Sequence, residues 1–194
     1  MKKIALVIAF CFFNHLLFAQ KLTQKDCSKL YDLIGAENWK TAFKESCKLL
    51  KENENDSSDF KSRILYVNIL SAAGLVTEGK MNFKDLQKHI ADCSGKKIII
   101  PARPVTIYDG FFNKIRLIDN QNHFESFTSV TNQKKLNILS FEKIILKDRI
   151  KVDDYDYATV ESGGIIQQIE TNPDVSISWI LRLTLQDGFV KIVN

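Results

Sequence analysis

The chain is poor in the residues from which most catalytic and metal sites are built. Its 194 residues include only three histidines, His15, His89 and His123. No H-E-x-x-H, G-x-S-x-G, Walker or dinucleotide-binding motif is present, and no C-x-x-C pair occurs that would favour zinc. The sequence therefore indicates no catalytic, cofactor-binding or metal-binding residues, although a hydrolase that joins His123 to a dispersed carboxylate remains an alternative.

An excess of one charge sign is also missing. The chain carries 27 basic and 23 acidic side chains, and two of the basic ones, Lys2 and Lys3, lie at the extreme N-terminus. A protein that attracts nucleic acid by its overall field needs a clearly cationic surface. The balance of charge therefore argues against nucleic acid as a partner.

No apolar run is long enough for a relaxed membrane span, which needs about 20 residues. The longest begins the chain, in "MKKIALVIAFCFFNHLLFAQ", where two lysines precede an apolar stretch and Ala19 offers a small residue before a cut. This order is typical of a signal peptide. We expect residues 1–19 to be removed and the mature protein to be periplasmic or secreted, with membrane contact only during export. An uncut N-terminal anchor is the alternative.

The first half, residues 20–94, shows helical periodicity. Cys27, Leu30, Tyr31 and Ile34 form one apolar stripe, with Thr23 and Gly35 as helix boundaries. A second stripe begins at Trp39 and includes Phe43, Cys47 and Leu50. Residues 60–76 are apolar on most sides and predict a buried central helix. Asn82 can cap a fourth helix, with Phe83, Leu86 and Ile90 on its inner side.

The second half, residues 95–194, changes to a period near two. Short runs rich in β-formers follow one another without helices between them, which predicts an antiparallel barrel or sandwich. Gly163–Gly164 indicates a bulge or bend, and Asp187–Gly188 indicates a tight hairpin turn. The fold class expected is α+β, with helical hairpins followed by a β domain.

The segment "ENWKTAFKESCKLL" (37–50) resembles the second helix of a tetratricopeptide repeat, with an aromatic residue followed by a small alanine and further apolar positions. "MNFKDLQKHI" (81–90) begins similarly at Phe83 but has Leu86 in place of the small residue. This resemblance implies packed hairpins that present a surface to a partner. In strand count, the second half is similar to the oligonucleotide/oligosaccharide-binding barrel. The order of the two halves behind a leader also resembles uncharacterised exported bacterial proteins.

Three further groups of residues could carry chemistry, and each has a simpler structural interpretation. His89 and His123 suit a helix surface and a turn. Asp153, Asp154 and Asp156 offer oxygens to a hard cation but lack the EF-hand pattern, so a solvated loop is favoured. Aromatic residues near strand ends, together with nearby cations, could form a stacking platform for sugars or bases, although core packing is favoured. The aromatic residues are Phe111, Phe112, Phe124, Phe127, Tyr155 and Tyr157, and the cations are Lys114, Arg116 and Arg149.

Cys27 and Cys47 lie ten residues on either side of Glu37, in the predicted link between the first two helices. In an antiparallel hairpin this symmetry brings them level, so a disulfide is possible in an oxidising compartment. Two small buried thiols are the equal alternative. Cys93 could instead pair with either one.

Together these features favour an exported, non-catalytic binding protein of the cell envelope whose partner is another protein. Glycan or small-ligand binding by the β domain is the first alternative, and the dispersed-site hydrolase is the second. Trp39 and Phe83 are expected to be core anchors, and exposed apolar area for binding is expected either in a groove between the helices or at the junction of the two halves.

Overall fold

A computed structural model describes residues 21–106, 113–120, 123–132, 137–174 and 179–193. Within these ranges, α-helices are followed by a closed six-stranded β-barrel. The helices are α1 (Gln24–Gly35), α2 (Trp39–Glu52), α3 (Asp59–Thr77) and α4 (Phe83–Ile90), and a 3₁₀ turn, Ala91–Cys93, follows α4. The α+β class and the order of the two halves are confirmed.

Side-chain caps fix where the helices begin. Thr23 and Asp26 form a capping box at α1, in which the Thr23 backbone N–H donates to Asp26 Oδ2 at 2.9 Å. Asn38 and Asn82 cap α2 and α4, and Asn82 Oδ1 accepts from the Asp85 backbone N–H at 2.8 Å. The predicted caps Thr23 and Asn82 are confirmed, because each side chain satisfies a backbone donor that the first turn leaves unpaired.

Helix α3 is buried on all sides along most of its length. Every residue from Ile64 to Leu75 is buried, as expected for a helix that is apolar around its circumference. It contacts α1, α2 and α4 on one side and β1, β4 and β6 on the other. In the described part of the chain, no helix combines the length and the apolar content that crossing a bilayer requires.

The barrel closes in the strand order β1-β2-β3-β4-β6-β5. Its strands are β1 (Lys97–Thr106), β2 (Ile115–Asn120), β3 (His123–Thr131), β4 (Ile138–Leu146), β5 (Thr159–Thr171) and β6 (Trp179–Ile192), with a 3₁₀ turn, Val152–Tyr155, before β5. The barrel is the closed form of the two architectures that the sequence left open.

The prediction of a wholly antiparallel sheet is wrong for two of the strand pairs. β1 pairs in parallel with β2, over Val105↔Ile115 and Thr106↔Arg116. β4 pairs in parallel with β6. The second pairing arises because β5 closes the barrel against β1, so the chain returns along β6 in the gap between β5 and β4. Period-two patterning gives the face of each residue but not the direction of its neighbour strand.

Neither turn prediction holds as stated. Gly163 and Gly164 pair regularly with Ile99 and Ile98 of β1, and the bulge lies on the partner strand, because three steps of β6, from Gln186 to Phe189, oppose two steps of β5. A Cβ on Gly163 would lie 2.4 Å from the Ile98 carbonyl oxygen, so this glycine permits a close approach of two backbones. The Asp187–Gly188 hairpin is wrong. These two residues form the bulge within β6, where Asp187 adopts a positive φ of 48°, and the strand continues to pair with β5 as far as Ile192. Gly188 is needed because Ile144 packs where its Cβ would be.

One hydrophobic core crosses the boundary between the helices and the barrel. The buried cluster contains residues of α2, α3 and α4 and of the four strands β1, β4, β5 and β6, among them Trp39, Ile69, Leu86, Ile98, Ile144, Ile166 and Leu185. The expected core anchor Trp39 is 2% exposed, while Phe83 is half-buried against the cluster. Arg63 on α3 adds a bidentate ion pair with Glu161 on β5, both distances being 2.8 Å.

A buried charged cluster joins α3 to the barrel interior. Tyr66 donates its hydroxyl hydrogen to Glu142 Oε1 at 2.9 Å and accepts from Arg103 Nη2 at 2.8 Å. Arg103 Nη1 also donates to Thr128 Oγ1 and lies 3.7 Å from Glu142 Oε2. Tyr66 therefore bridges two ionisable groups that are otherwise surrounded by protein.

Replacing Tyr66 by Phe is expected to destabilise the fold by about 1–3 kcal/mol, because it leaves buried polar groups of Arg103 and Glu142 without that partner. The matched control is Tyr31→Phe. The Tyr31 hydroxyl is buried and has no hydrogen-bond partner among the described residues, so its removal is expected to be neutral or slightly stabilising. Urea unfolding of the two variants measures the difference, and equal losses would contradict it.

Candidate functional site

The outer face of the barrel carries an exposed arginine held against two aromatic rings. Arg182 lies on β6, with its guanidinium carbon 4.2 Å from the ring centroid of Trp179 and 5.9 Å from that of Phe141. Phe141 is the partner of Arg182 in the parallel β4–β6 pairing. We refer to Phe141, Trp179 and Arg182 as the arginine cluster. Such ring contacts restrict the guanidinium while leaving its N–H groups available.

Two carboxylates on the strands that flank the arginine cluster have other partners. Glu170 faces Arg182 across the β5–β6 pair, and its Oε1 accepts from Gln168 at 2.9 Å. Glu125 forms an ion pair of 2.6 Å with Lys143. Arg182 itself makes no hydrogen bond or ion pair with any residue that the structure describes. The cluster therefore presents an exposed cation that nearby acids do not neutralise by contact.

A depression of about 310 Å³ lies over this part of the sheet. Its lining includes Phe141, Lys143, Glu170, Arg182 and Thr184, which come from β4, β5 and β6. The volume is at the lower end of the range for ligand pockets. It suits one side chain or one ring of a larger partner.

A second cavity, of about 450 Å³, lies where the helices meet the barrel. Its apolar walls include Ile34, Leu70, Pro101 and Val130, and Tyr31, Tyr66 and Arg103 add polar atoms. Burial, followed by the nearby Cys27, raises the pKa of Tyr31 above its usual range, so the phenol stays neutral. An apolar binding area was expected between the helices or at this junction, and the cavity lies at the junction.

Electrostatics within the buried cluster favour the arrangement already described. Burial raises the pKa of Glu142, opposed by the Arg103 guanidinium and by hydrogen bonds. The pKa of Tyr66 is likewise raised, first by burial. Tyr66 and Arg103 of this cluster also line the junction cavity, so the cluster joins α3 to the barrel at that place.

The structure places the two predicted histidines differently from each other. His89 is half-buried, with Nε2 2.6 Å from Asn68 Oδ1 and its ring 4.8 Å from that of Phe43. Asn68 also donates to Ser46 Oγ at 2.9 Å, so His89 belongs to a polar network among α2, α3 and α4. The expectation of a plain surface residue is wrong for His89, since helix packing orients its ring.

His123 begins β3, and its side chain lies outside the described part, so the hydrolase alternative stays a prediction.

The predicted stacking platform is mostly outside the described residues. This applies to Phe111 and Phe112, and to the side chains of Phe124 and Phe127. Tyr155 packs against a small core cluster around Val105 and Val160, as the core interpretation expected. Tyr157 is 79% exposed, and Lys114 and Arg149 are exposed while Arg116 is half-buried.

The acidic segment shows no cation site. Asp153, Asp154 and Asp156 are exposed. Among the described residues, no group of three or more His, Cys, Asp or Glu side chains is arranged to hold a metal ion. The solvated-loop interpretation fits their exposure.

The three cysteines of the described region are free thiols. Cys27 Sγ lies 3.8 Å from the Phe60 carbonyl oxygen, and Cys47 Sγ accepts from Asn68 Nδ2 at 3.1 Å. Burial raises the pKa of Cys27 to about 11. Pairing of Cys27 with Cys47 or Cys93 stays a prediction.

Sequence reasoning did not find the arginine cluster. Alternation in the run "WILRLTL" predicts that Trp179 shares an apolar face with Leu181 and Leu183; those two leucines are buried, while Trp179 is only half-buried. The same alternation puts the cation Arg182 on the opposite side of the strand, which is the one weak signal that the sequence offers. What brings Phe141 to Arg182 is the parallel β4–β6 pairing, which no local pattern encodes.

Comparison of the chain with protein-family models, curated proteins and solved structures gives no match. Its function is therefore inferred from its own residues.

Acidification is expected to weaken the fold partly through His89. Burial lowers the pKa of His89 below its ordinary 6.5, so below that pH the unfolded state takes up a proton before the folded state does. The free energy of unfolding therefore decreases as the pH is lowered, until the pH is below the pKa of His89 in the folded state. Urea unfolding at pH 7.5 and 5.5 measures this loss, and His89→Gln is expected to reduce it. An equal pH dependence in the variant would contradict the prediction.

Proposed function

We propose that this protein is an exported, non-catalytic binding protein that contacts a partner protein through the outer face of β4 and β6. The observation that carries the proposal is the exposed arginine cluster. Tryptophan and arginine are the residues most enriched among the few that dominate binding energy at protein interfaces. Here one of each lies together on a rigid sheet, with Phe141 beside them.

The setting of the arginine cluster fits an interface better than a catalytic cleft. Lys143, which is ion-paired with Glu125, lies two residues along β4 from Phe141, and charges at the edge of an interface tune association and specificity. The rings are partly covered by Arg182 itself, so a partner that pairs with the guanidinium also gains apolar contact. Because the strands are fixed by pairing on both sides, little ordering cost is added on binding.

The barrel is proposed to be of the oligonucleotide/oligosaccharide-binding type. β1 and β2 run in the same direction and overlap by two residue pairs, so they can be counted as one interrupted strand. The barrel then has the five strands of that class, and β3 and β4 become its second and third. In that class the face of the second and third strands is a ligand surface. Phe141 and Lys143 of β4 lie on the outer side of this face, which supports the same surface here.

The helices are proposed to be tetratricopeptide-like hairpins that brace the barrel. α1 and α2 are joined by only three residues, and α3 and α4 by five, which suits antiparallel neighbours. The apolar sides of these helices are already packed within the core.

Export is proposed from the leader, residues 1–19, which lies outside the described part of the chain.

A photo-cross-linking amino acid at Thr184 tests the proposed face. Thr184 borders the arginine cluster and lies opposite Lys143. The full chain is expressed, the N-terminus of the recovered protein is identified by mass spectrometry, and the protein is illuminated with the envelope fraction of the producing cells. The expected result is a specific protein adduct at Thr184. This adduct is expected to be lost when the cross-linker is placed in the double variant Arg182→Gln/Trp179→Leu.

The same cross-linker at Lys48, on the exposed side of α2, is the matched control. Protein adducts at Lys48 alone would contradict the assignment to the barrel and favour the helical surface. Adducts at Thr184 that contain glycan and no protein would contradict the class of partner.

Small-ligand binding in the junction cavity is a second candidate. Its volume of about 450 Å³, its apolar walls and the buried Tyr31 hydroxyl are typical of a small-molecule pocket. Native mass spectrometry of the protein purified from its producing cells tests this. A bound small molecule that is displaced in Leu70→Trp is the expected result, and an unliganded mass in every preparation would count against it.

A further inference from the structure

We infer that the arginine cluster recognises a single carboxylate of the partner protein, with the Arg182 guanidinium as its bidentate donor. This inference rests on the proposed function and names the chemistry of its site. Three observations on the described residues carry it: no described residue accepts a hydrogen bond from the Arg182 guanidinium, Glu170 and Glu125 have other partners, and the exposed Glu170 carboxylate limits the negative charge that a ligand can bring.

The first observation is that the guanidinium is oriented and unpaired. Contacts of 4.2 Å and 5.9 Å to the rings of Trp179 and Phe141 limit its rotation. A planar guanidinium donates through a fixed fork that matches the two oxygens of a carboxylate. Arg182 is exposed, and no described residue accepts a hydrogen bond from it. The site is therefore arranged for an acceptor supplied from outside.

The second observation concerns the two acids within reach of the same face. Glu170 is directly opposite Arg182 in the strand pairing, yet its carboxylate accepts from Gln168 on its own strand. Glu125 is paired with Lys143 at 2.6 Å. Neither Glu170 nor Glu125 accepts a hydrogen bond from the Arg182 guanidinium, so an incoming carboxylate does not have to displace an ion pair.

The third observation limits how much negative charge the ligand can carry. Glu170 is exposed directly opposite Arg182, while the buried Glu125 carboxylate is matched by Lys143. A polyanion such as nucleic acid or an acidic polysaccharide would place further charges beside the Glu170 carboxylate, which is unfavourable. One carboxylate on an otherwise neutral chain fits best. A protein offers this as an Asp or Glu side chain or as its C-terminal carboxylate.

Three short peptides separate these sources. Acetyl-Gly-Glu-Gly-amide carries a side-chain carboxylate, acetyl-Gly-Gln-Gly with a free C-terminus carries a terminal one, and acetyl-Gly-Gln-Gly-amide carries none. Binding to the full protein is followed by NMR through the indole N–H signal of Trp179, assigned with Trp179→Phe. The indole of Trp39, which is 2% exposed, serves as an internal reference that should not move.

At least one carboxylate peptide is expected to shift the Trp179 signal saturably, and the neutral peptide is not. Arg182→Gln is expected to weaken that binding by about tenfold or more, since a charge-assisted hydrogen-bonded pair is lost. Arg182→Lys keeps the charge but loses the fork, so an intermediate loss is expected. Arg149→Gln makes the same charge change at another exposed arginine and should leave the affinity unchanged.

Equal binding of all three peptides, or equal losses in Arg182→Gln and Arg149→Gln, would overturn the inference. So would tighter binding of a glucuronic-acid tetrasaccharide than of either carboxylate peptide. The two proposals also fail separately. If Thr184 forms its protein adduct while Arg182→Gln alone has no effect on adduct or peptide binding, carboxylate recognition fails and the protein-binding face stands. If no protein adduct forms at Thr184, the proposed function itself fails.

Discussion

Burial of the Arg103 guanidinium inside the barrel is the constraint on which the rest of the structure depends. Arginine stays charged in proteins, so its burial needs partners that come with the fold. Glu142 of β4 supplies the opposite charge, and Tyr66 of α3 supplies the hydroxyl that links the two. Since Tyr66 belongs to the helical half, separating the helices from the barrel would expose this cluster to water at one end and break its hydrogen bonds.

The shared core makes the helices part of the barrel's support. α3 uses one side for its neighbouring helices and the other for β1, β4 and β6. The Arg63–Glu161 ion pair and the burial of Trp39 strengthen the same junction. α3 covers part of the barrel, and Arg182 stays exposed on the outer sheet face, where the proposed contacts lie.

Sequence patterns predicted the elements that local rules control. The caps Thr23 and Asn82 and the buried helix α3 follow from side chains acting within a few residues. The same rules failed at Asp187–Gly188. There the dipeptide favours a hairpin, but pairing on both sides of β6 continues past it, so the dipeptide forms a bulge within the strand and tertiary context overrides the turn preference. The hydrogen-bonded environment of His89 was missed because Asn68, its partner, lies 21 residues away.

The sequence by itself determined the α+β class and the order of a helical half followed by a β half. It also determined which side of most strands is buried, because periodicity is a local property of the chain. Only the tertiary structure decided the parallel β1–β2 and β4–β6 pairings, and with them the position of Phe141 beside Arg182 in the candidate site. Phe141 and Arg182 are about 40 residues apart in the chain, and the direction and register that make them neighbours depend on how the whole barrel closes.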